Sequence, residues 1–572
     1  MVNLIIDGKN ITVENGITIL EAARSAGINI PTLCYLKDIN EIGACRVCVV
    51  EIEGNANLCA ACNTQAEDGM VIYTNSPRVR TARRINLELI LSAHNTNCTS
   101  CVRNGNCTLQ TLCRDLNITD IPFEVTYKKK KWDTSIPLIR DREKCVKCMR
   151  CISVCEKVQG LGVWDIVGTG HRTTVGIRGT TDFNATKCAL CGQCITHCPV
   201  GALHERDDTR NLLDALGDPD KIVIAQVAPA VRTAWGEDLG LTREQATVGK
   251  MVSALRTIGF DYVFDTDFAA DMTIMEEGSE LLERLSHKED YSWPMFTSCC
   301  PGWIRFLKHE YPEFTKNLSS AKSPQQMFGS IAKTYFAKKL GVNAEKIVCV
   351  SIMPCIAKKY EADVPQVSSV SEKDVDIVLT TREICRMLRS GGLDFAKIRE
   401  SEFDAPLGLG TGAGVIFGTS GGVMEAALRS AHYLVTGENP DADKFSAVRG
   451  MDGWKERTVQ VGDATLNVAV TNGLANARRL IEAIKAGKVS YDFVEIMACP
   501  GGCVGGGGQP IRDGQELAAE RSKTLRNLDS ASVIRFSHEN PFIKTVYEEY
   551  LEKPNSHIAH ELLHTSHQEW DI

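Results

Sequence analysis

The sequence carries 24 cysteines, and their spacing indicates metal ligation rather than disulfide bonding. Seventeen of them lie between Cys34 and Cys198, and the other seven lie between Cys299 and Cys503. Cysteine thiolates hold iron–sulfur clusters, and the ligands of one cluster are often separated by only two residues. The chain therefore divides into a cysteine-rich front and a larger, cysteine-poor rear.

The strongest motif is a cysteine run that occurs twice. The pattern Cys-x2-Cys-x2-Cys-x3-Cys spans residues 145–155 and recurs at residues 188–198, where Pro199 follows it. In two-cluster bacterial ferredoxins, which have this pattern, the fourth cysteine of each run binds the cluster of the other run. The motif predicts two 4Fe–4S clusters, one on Cys145, Cys148, Cys151 and Cys198 and one on Cys188, Cys191, Cys194 and Cys155.

Cysteines near the start of the chain indicate a 2Fe–2S cluster, which also needs four thiolates. Cys34 precedes the pair Cys45 and Cys48, and Cys62 follows them before the strand-like segment MVIYT. The gap of ten residues after the first cysteine is wider than the gap of about four in plant-type ferredoxins. Cys59 is the alternative fourth ligand, and Cys62 is preferred because it stands just before the strand.

A histidine and three cysteines follow in a segment of helical pattern. His94, Cys98, Cys101 and Cys107 have a spacing that suits either zinc or an iron–sulfur cluster, because both accept imidazole and thiolate ligands. The segment lies between two ferredoxin-like stretches. A 4Fe–4S cluster with one histidine ligand is therefore the preferred interpretation, and zinc is the alternative.

Three loops in the rear half, here called the rear loops, carry the remaining chemistry. They are TSCCPGW at residues 297–303, MPCIAKKYE at 353–361 and MACPGGCVGGGGQP at 497–510. None has ferredoxin spacing, so any site must be assembled across the domain. Their glycines let the backbone approach a bulky group closely. Four of their thiolates suffice for a 4Fe–4S cubane, and the predicted ligands are Cys300, Cys355, Cys499 and Cys503.

Alternating strands and helices are expected to position these loops. In the rear half, buried strands are predicted at residues 221–229, 261–265, 346–354 and 376–380. A helix is predicted at 243–257, and the alternation implies parallel sheets with the site at their carboxyl ends. In the front, strands are predicted at 2–6 and 11–13 and a helix at 18–26.

We expect four domains, because 572 residues are too many for one core. Residues 1–76 are predicted to form a β-grasp 2Fe–2S ferredoxin-like domain, and residues 77–125 a small helical His/Cys3 cluster domain. Residues 126–209 are predicted to form a bacterial ferredoxin-like domain with two 4Fe–4S clusters. Residues 210–572 are predicted to form a large α/β catalytic domain with parallel sheets. The fold class is therefore multidomain, with α/β and α+β parts.

The rear loops and the front modules together resemble FeFe hydrogenases of the long, monomeric clostridial type, over nearly the whole chain. TSCCPGW, MPCIAKKYE and ACPGGCVGGGGQP are similar to the three signature segments of that family. The resemblance implies reversible H2 formation at an H-cluster, in which Cys503 links the cubane to a diiron unit with CO, cyanide and an azadithiolate bridge. It also implies electron relay from or to ferredoxin through four accessory clusters.

The resemblance further implies a proton path. Cys299 is not needed as a cubane ligand, and it matches the family's proton donor and acceptor nearest the diiron bridge. The other groups of the family's path from the surface to the cluster correspond to Glu277, Glu280, Ser319 and Arg284. Without the resemblance, two glutamates three residues apart on a helix indicate a solvated face.

The resemblance also implies a pocket around the diiron unit. Lys358 matches the lysine that holds a cyanide ligand, and a surface lysine is the alternative. The other pocket positions are Pro229, Ala230, Gln325, Met353, Phe417 and Met497, although methionine and phenylalanine are also ordinary core residues.

Composition bears on location and partners. The net charge of −8 argues against nucleic-acid binding and against electrostatic attraction to a membrane. We find no secretory leader pattern and no apolar stretch of membrane-spanning length. We expect a cytoplasmic monomer whose partners are ferredoxin, or a similar small electron carrier, and hydrogenase maturation proteins. The lysine run at 128–131 is either a docking site for an acidic ferredoxin or a solvated linker.

Other functions remain open. An electron-relay subunit of respiratory NADH dehydrogenase has similar front modules but no use for the rear loops. A hydrogen sensor or a cluster-assembly protein is a third candidate, and the surplus Cys299 argues against it. An electron-bifurcating hydrogenase normally contains further cofactor domains or partner subunits. No cysteine cluster follows Cys503, which argues against this alternative.

The tail has helix patterns at 541–552 and 558–567. The second contains His560, His564 and His567, for which a solvent-facing helix is preferred over a metal site.

Overall fold

The structure, a computed structural model, describes residues 1–127, 131–513 and 515–568. The chain divides into two compact units. The smaller unit comprises Met1–Val158, Gly162–Thr186 and His197–His204. The larger unit comprises Gln159–Leu161, Lys187–Thr196 and Glu205–Ile572, and it contains all three rear loops. The division into four domains stays a prediction, and most of the lysine run (128–130) lies outside the described residues.

The smaller unit contains nine short strands and four helices among its described residues. The strands are β1 (Val2–Ile6), β2 (Lys9–Val13), β3 (Val49–Ile52), β4 (Cys59–Ala60), β5 (Val71–Tyr73), β6 (Leu138–Arg140), β7 (Trp164–Val167), β8 (Thr174–Ile177) and β9 (Leu203–Glu205). The helices are α1 (Ile19–Ser25), α2 (Pro77–Ser92), α3 (Thr108–Asp115) and α4 (Arg150–Ser153). The first five strands form one sheet of order β2-β1-β5-β3-β4, and the apolar face of α1 shares its core.

Local chemistry explains where the first helices of the smaller unit begin. The Thr18 side chain accepts a hydrogen bond from the Glu21 N–H, so α1 starts directly after it. The Ser76 side chain caps α2 in the same way, and Pro77 occupies the first helical position, where no N–H is needed. The sequence predictions for β1, β2 and α1 were right to within two residues at each end.

The larger unit contains eight strands and fifteen α-helices among its described residues. The strands are β10 (Ile222–Val227), β11 (Tyr262–Asp265), β12 (Met295–Phe296), β13 (Ile347–Met353), β14 (Ile377–Thr380), β15 (Trp454–Val461), β16 (Ala464–Asn472) and β17 (Phe493–Met497). The helices up to residue 361 are α5 (Gln193–Thr196), α6 (Thr209–Leu216), α7 (Val248–Thr257), α8 (Thr266–Ser286), α9 (Pro301–Glu310), α10 (Pro324–Ile331), α11 (Ala337–Leu340) and α12 (Ala357–Glu361). The remaining helices are α13 (Thr381–Ser390), α14 (Gly412–Val415), α15 (Gly422–Thr436), α16 (Leu474–Lys485), α17 (Ala518–Ala531), α18 (Pro541–Val546) and α19 (His557–Leu563).

Two four-stranded sheets organise the larger unit. The first has the order β11-β10-β13-β14 and is parallel throughout. The second has the order β12-β17-β16-β15, in which only β15 is antiparallel to its neighbour. The strands are almost wholly buried runs, as expected for parallel sheets covered by helices. The rear loops follow β12, β13 and β17, at the carboxyl ends where ligand sites form in parallel sheets. This confirms the predicted multidomain fold with a parallel-sheet catalytic domain.

Two predicted helices differ from the structure. Helix α7 starts at Val248 rather than at residue 243, because the Thr247 side chain caps it by accepting from the Lys250 N–H. The tail helix α19 ends at Leu563, where His564 becomes extended and pairs with Ala321. The prediction of a solvent-facing helix over 558–567 was therefore wrong, since His564 and His567 are buried. No helix in the described part of the chain is long and apolar enough to cross a membrane.

Candidate active site

The four rear thiols predicted as cubane ligands come together at the carboxyl ends of the two sheets. Cys300 stands at the start of α9, directly after β12, and Cys355 follows β13. Cys499 and Cys503 lie in the loop after β17. The Cys499 thiol interacts electrostatically with the thiols of Cys300, Cys355 and Cys503, so all four face one region. The loops after three separate strands thus bring the four predicted cysteine ligands together.

Glycines bring the third rear loop close to the second. A Cβ atom on Gly506 would lie 2.1 Å from the Pro354 carbonyl oxygen, and one on Gly508 would lie 2.9 Å from the Cys355 nitrogen. Gly502 has a φ of +93°, which other residues rarely adopt, and its Cβ would lie 2.8 Å from Met497 Sδ. A side chain at Gly506 or Gly508 would push the two cysteine-bearing loops apart, and a side chain at Gly502 would clash with Met497 and strain the backbone.

The chemistry of this donor set fits an iron–sulfur group. Burial raises the pKa of the Cys355 thiol to about 12, so its thiolate is stable there only when a cation compensates the charge. Burial also raises the pKa of Cys300, whose sulfur accepts a hydrogen bond from the Ala498 N–H at 3.4 Å. Such N–H donors to cysteine sulfur are typical of iron–sulfur sites.

Cys299 lies beside this cluster of thiols and faces the glutamate pair. Burial raises the pKa of its thiol well above the ordinary value, and the nearby Glu277 and Cys300 raise it further. The Lys358 ammonium donates to the Cys299 carbonyl oxygen at 3.1 Å. The Cys299 thiol is therefore held in its protonated form, with a carboxyl group next to it.

The predicted glutamates are buried on α8 and are not a solvated face. Glu277 is fully buried, and burial together with the nearby Glu280 raises its pKa to about 8. The Ser319 hydroxyl donates to Glu280 at 2.7 Å and also acts on the pKa of Glu277. Arg284 forms an ion pair with Glu280 one helical turn further along. The structure thus brings Cys299, both glutamates, the serine and the arginine into one row.

Lys358 is buried, which excludes the surface-lysine alternative. Its ammonium forms an ion pair with Glu361 at 2.8 Å, and Glu361 also accepts from Ser323 and Gln325. Glu361 was missed in the sequence, although its spacing of three residues from Lys358 on a helix was the available signal.

The other predicted pocket residues are all buried in the larger unit. Pro229 and Ala230 begin a helical turn directly after β10, and the Ala230 carbonyl accepts from the Gln509 amide at 2.9 Å. Gln325 uses both ends of its amide, because it accepts from Ser351 and donates to Glu361. Met353 ends β13 and Met497 ends β17, and Phe417 shares a core with Met497.

In the smaller unit, the four cysteines predicted to bind the 2Fe–2S cluster form one thiol network. The Cys34 thiol hydrogen-bonds with those of Cys45 and Cys62, and the Cys62 thiol also hydrogen-bonds with that of Cys48. The alternative ligand Cys59 points elsewhere, because its thiol contacts Asn55 and the Asn57 carbonyl. This geometry favours Cys62 as the fourth donor.

His94, Cys98, Cys101 and Cys107 line one cavity of about 280 Å³ in the smaller unit. His94 Nδ1 lies 3.0 Å from the Lys144 carbonyl oxygen, which can only accept, so Nδ1 carries the proton. The unprotonated Nε2 is then free to bind a metal, and this arrangement is usual for a histidine ligand. Cys113 lines the same cavity outside the predicted set.

The ferredoxin-like cysteines are divided between the two units. Within the smaller unit, the Cys151 thiol interacts with those of Cys145, Cys148 and Cys198, which is the set predicted from the crossed ligation pattern. Cys188, Cys191 and Cys194 lie together in a short segment of the larger unit, and Cys155 belongs to the smaller unit. The second set therefore stays a prediction.

Family models match consecutive parts of the chain. The iron only hydrogenase large subunit, C-terminal domain, matches residues 221–507. In the front, a 2Fe-2S iron-sulfur cluster binding domain matches 1–77, the iron-sulfur binding region of NADH-ubiquinone oxidoreductase-G matches 83–122, and a 4Fe-4S dicluster domain matches 144–202. The iron hydrogenase small subunit matches residues 515–570.

Individual relatives extend over the whole chain. The NADP-reducing hydrogenase subunit HndD of Solidesulfovibrio fructosivorans is 49% identical over 99% of this chain and 98% of its own length. Iron hydrogenase 1 of Clostridium pasteurianum is 40% identical over 99% of both chains. Among solved structures, an apo FeFe hydrogenase variant from Chlamydomonas reinhardtii has a TM-score of 0.57 and 45% identity, and the match covers 63% of this chain and 98% of that chain.

Proposed function

The chain belongs to the FeFe hydrogenase family, and we propose which of its residues hold the clusters and move the protons. It is an iron–sulfur oxidoreductase that interconverts protons, electrons and H2 at an H-cluster. It also carries 2Fe–2S and 4Fe–4S clusters in its front half. The single observation that supports the assignment of the active site is the convergence of four rear thiols from three strands.

Cys300, Cys355, Cys499 and Cys503 would hold the cubane, and Cys503 would also link it to the diiron unit. The bound group supplies the metal at which the H–H bond forms and breaks. The protein supplies buried or half-buried thiolates, an N–H donor to sulfur and glycine backbone that leaves room for the group. Lys358 would orient a cyanide ligand as a compact positive charge. The other pocket residues are Pro229, Ala230, Gln325, Met353, Phe417 and Met497.

The row formed by Cys299, Ser319 and three α8 side chains, Glu277, Glu280 and Arg284, would carry protons to this site. Cys299 holds a proton on its sulfur, because burial disfavours the thiolate. Glu277, whose pKa is raised to about 8, is protonated at neutral pH and can exchange a proton with Cys299. Ser319 would then pass protons between Glu277 and Glu280, and Arg284 would hold the Glu280 carboxylate at the outer end.

The remaining cysteines would hold the electron-relay clusters. The 2Fe–2S ligands would be Cys34, Cys45, Cys48 and Cys62, as their thiol network supports. His94, Cys98, Cys101 and Cys107 would hold a 4Fe–4S cluster. The two ferredoxin-like clusters would be held by Cys145, Cys148, Cys151 and Cys198 and by Cys155, Cys188, Cys191 and Cys194.

For the electron partner we propose a ferredoxin or a similar small carrier. The chain would act as a cytoplasmic monomer, and maturation proteins would insert the diiron unit. A second candidate is a subunit of an NADP-reducing assembly. The chain is more similar to a subunit of such a hydrogenase, at 49% identity, than to the clostridial enzyme, at 40%. Native mass measurement of protein purified from its own cells separates the two. Copurifying subunits that give NADP reduction would contradict the monomer.

An infrared spectrum of anaerobically matured protein tests the proposed site. We expect metal-bound CO and cyanide bands in the wild type and their loss in Cys503→Ala. Cys349→Ala, which removes a buried thiol from β13 outside the proposed ligand set, is the matched control and should keep the bands. Unchanged bands in Cys503→Ala would overturn the assignment of that ligand.

A further inference from the structure

The histidines of the tail form a cluster that the proposed proton row does not use. His564 is only 8% exposed, and both of its ring nitrogens have partners. Nδ1 lies 2.8 Å from Ser320 Oγ, and Nε2 lies 3.0 Å from a carboxylate oxygen of Glu276. His560 is exposed to solvent and stacks on His564, with 4.2 Å between the ring centroids. The pair therefore joins the surface to a buried carboxylate.

Ser320 connects this cluster to the outer end of the proton row. Its backbone N–H donates to both carboxylate oxygens of Glu280, at 3.2 and 3.1 Å, while its hydroxyl contacts His564. The tail is fixed in place by backbone pairing, because the Thr565 N–H donates to the Ser320 carbonyl at 2.8 Å and His564 pairs with Ala321. The position of His564 beside Glu280 is thus a feature of the fold rather than of one side chain.

A cavity of about 400 Å³ is lined by Ser320, His560, His564, Arg284 and Lys316 among others, and two of these residues, Ser320 and Arg284, also contact Glu280. Arg284 is buried, yet its Nε and Nη1 atoms have no hydrogen-bond partner among the described residues. Buried guanidinium groups normally have every N–H satisfied, and water in the cavity would satisfy these. The cavity is large enough for several water molecules, each of which occupies about 30 Å³.

Hydrogen bonding fixes the tautomer of His564. A carboxylate only accepts, so the Glu276 contact fixes a proton on Nε2 and leaves Nδ1 as the free base of neutral His564. Partial burial and the neighbouring His564 lower the pKa of His560. The titratable and charged groups that face the pair are Glu276, Glu280, Glu283, Arg284, Lys316, Tyr547 and His567.

We propose that His560 and His564 form a proton entrance that delivers protons through the cavity to Glu280. During H2 formation, an N–H bond of a protonated histidine breaks, and cavity water and the Ser320 hydroxyl carry the proton past Ser320 and Arg284, which line the cavity and contact Glu280. An O–H bond then forms on the Glu280 carboxylate. H2 oxidation runs these steps in reverse. The entrance rests on the proposed proton row, since it ends at Glu280. It assigns a function to the tail segment, which matches the iron hydrogenase small subunit.

Glutamine at position 560 removes the titratable ring while keeping a polar side chain on the exposed face of α19. His560→Gln should lower the rates of H2 formation and oxidation by about threefold or more, a modest share of what acid–base groups contribute. Added imidazole should restore most of the loss, because it carries protons into the cavity. His557→Gln changes an exposed histidine on the same helix and should have no effect. Equal rates in the wild type and His560→Gln would overturn the entrance.

Ser320→Ala tests the contact between the Ser320 hydroxyl and His564 without displacing the tail segment. It removes the hydroxyl that contacts His564 and keeps the backbone N–H that binds Glu280. If Ser320 and His560 act in one path, the double variant that combines Ser320→Ala with His560→Gln should be no slower than the slower of the two single variants. Independent, multiplicative losses would place the serine and the histidine in different paths and overturn the proposal.

A measurement without turnover distinguishes this entrance from the proposed function. In protein that lacks the diiron unit, transfer to D2O should deuterate the Glu277 carboxylic acid, which the shift of its infrared C=O band reports. His560→Gln should slow that exchange relative to the wild type and His557→Gln. Slowed exchange would support the entrance even if the protein, once loaded, did not turn over H2. Unchanged exchange in His560→Gln would overturn it while leaving the cluster ligands unaffected.

Discussion

The Ser319 hydroxyl donates a hydrogen bond of 2.7 Å to a carboxylate oxygen of Glu280, and both side chains are buried. The serine oxygen keeps lone pairs that can accept a proton from a second group. Glu277 lies one helical turn from Glu280 and is protonated at neutral pH because burial raises its pKa to about 8. The hydroxyl therefore connects directly to Glu280, whereas the Glu277 carboxyl oxygens have no hydrogen-bond partner among the described residues, so the proposed relay requires the hydroxyl to approach Glu277 as well.

Replacing the innermost thiol should stop turnover without dismantling the site. Cys299→Ala should lower H2 formation by about 100-fold or more, because a proton donor next to the site is lost. Its iron content and its CO and cyanide infrared bands should stay close to those of the wild type. Cys349→Ala controls for the loss of a buried thiol and should keep its activity. Wild-type rates in Cys299→Ala would remove this residue from the proton path.

Neutralising the outer glutamate should slow both directions of catalysis. Glu280→Gln keeps the size of the side chain but cannot take up a proton, so H2 formation and H2 oxidation should fall together. Glu289→Gln, an exposed change just beyond α8, is the control and should leave both rates unchanged. Unaffected rates in Glu280→Gln would send the protons by another route.

The raised pKa of Glu277 predicts how stability depends on pH. Because the folded state binds this proton more tightly than the unfolded state, the free energy of unfolding should fall as the pH rises from about 4.5 to about 8. Glu277→Gln should remove that part of the slope. Thermal unfolding of protein without the diiron unit, at about pH 5 and about pH 9, measures it. Identical slopes in the two proteins would contradict the burial of an ionisable carboxyl at this position.

Removing the partner of Lys358 should disturb the cyanide environment. Glu361→Gln retains the contacts with Ser323 and Gln325 but removes the negative charge that holds the ammonium. We expect shifted cyanide infrared bands and a lower content of the diiron unit. Glu372→Gln is an exposed control that should keep the wild-type spectrum. If the bands of Glu361→Gln do not move, Lys358 is held by its other contacts alone.

The two candidate fourth ligands of the 2Fe–2S cluster can be distinguished by spectroscopy. Cys62→Ala should abolish the electron paramagnetic resonance signal of the reduced cluster, because the thiol network loses a member. Cys59→Ala should preserve the signal, since that thiol contacts Asn55 and Asn57 instead. The opposite pattern would exchange the two assignments.

Part of this protein could be predicted from the sequence because its determinants are local. Strands β10, β11, β13 and β14 fall within two residues of their predicted ends, since short apolar runs in a parallel sheet are buried on both faces. The ends of helices were predicted less well. Helix α19 ends at Leu563 because His564 pairs with Ala321, a partner that is remote in the chain.

The sequence by itself predicted the candidate donors, and the tertiary structure decided their surroundings. Ferredoxin-type ligands are separated by only a few residues, so the spacing alone predicts most of a cluster. In the rear loops, the type of residue indicated chemistry, but only the tertiary arrangement of two sheets, with β13 in one and β12 and β17 in the other, brings Cys300, Cys355 and Cys499 together. Burial and charge contacts have no local signature. The raised pKa of Glu277 and the contact between Ser320 and His564, 244 residues apart, therefore depend on the folded chain.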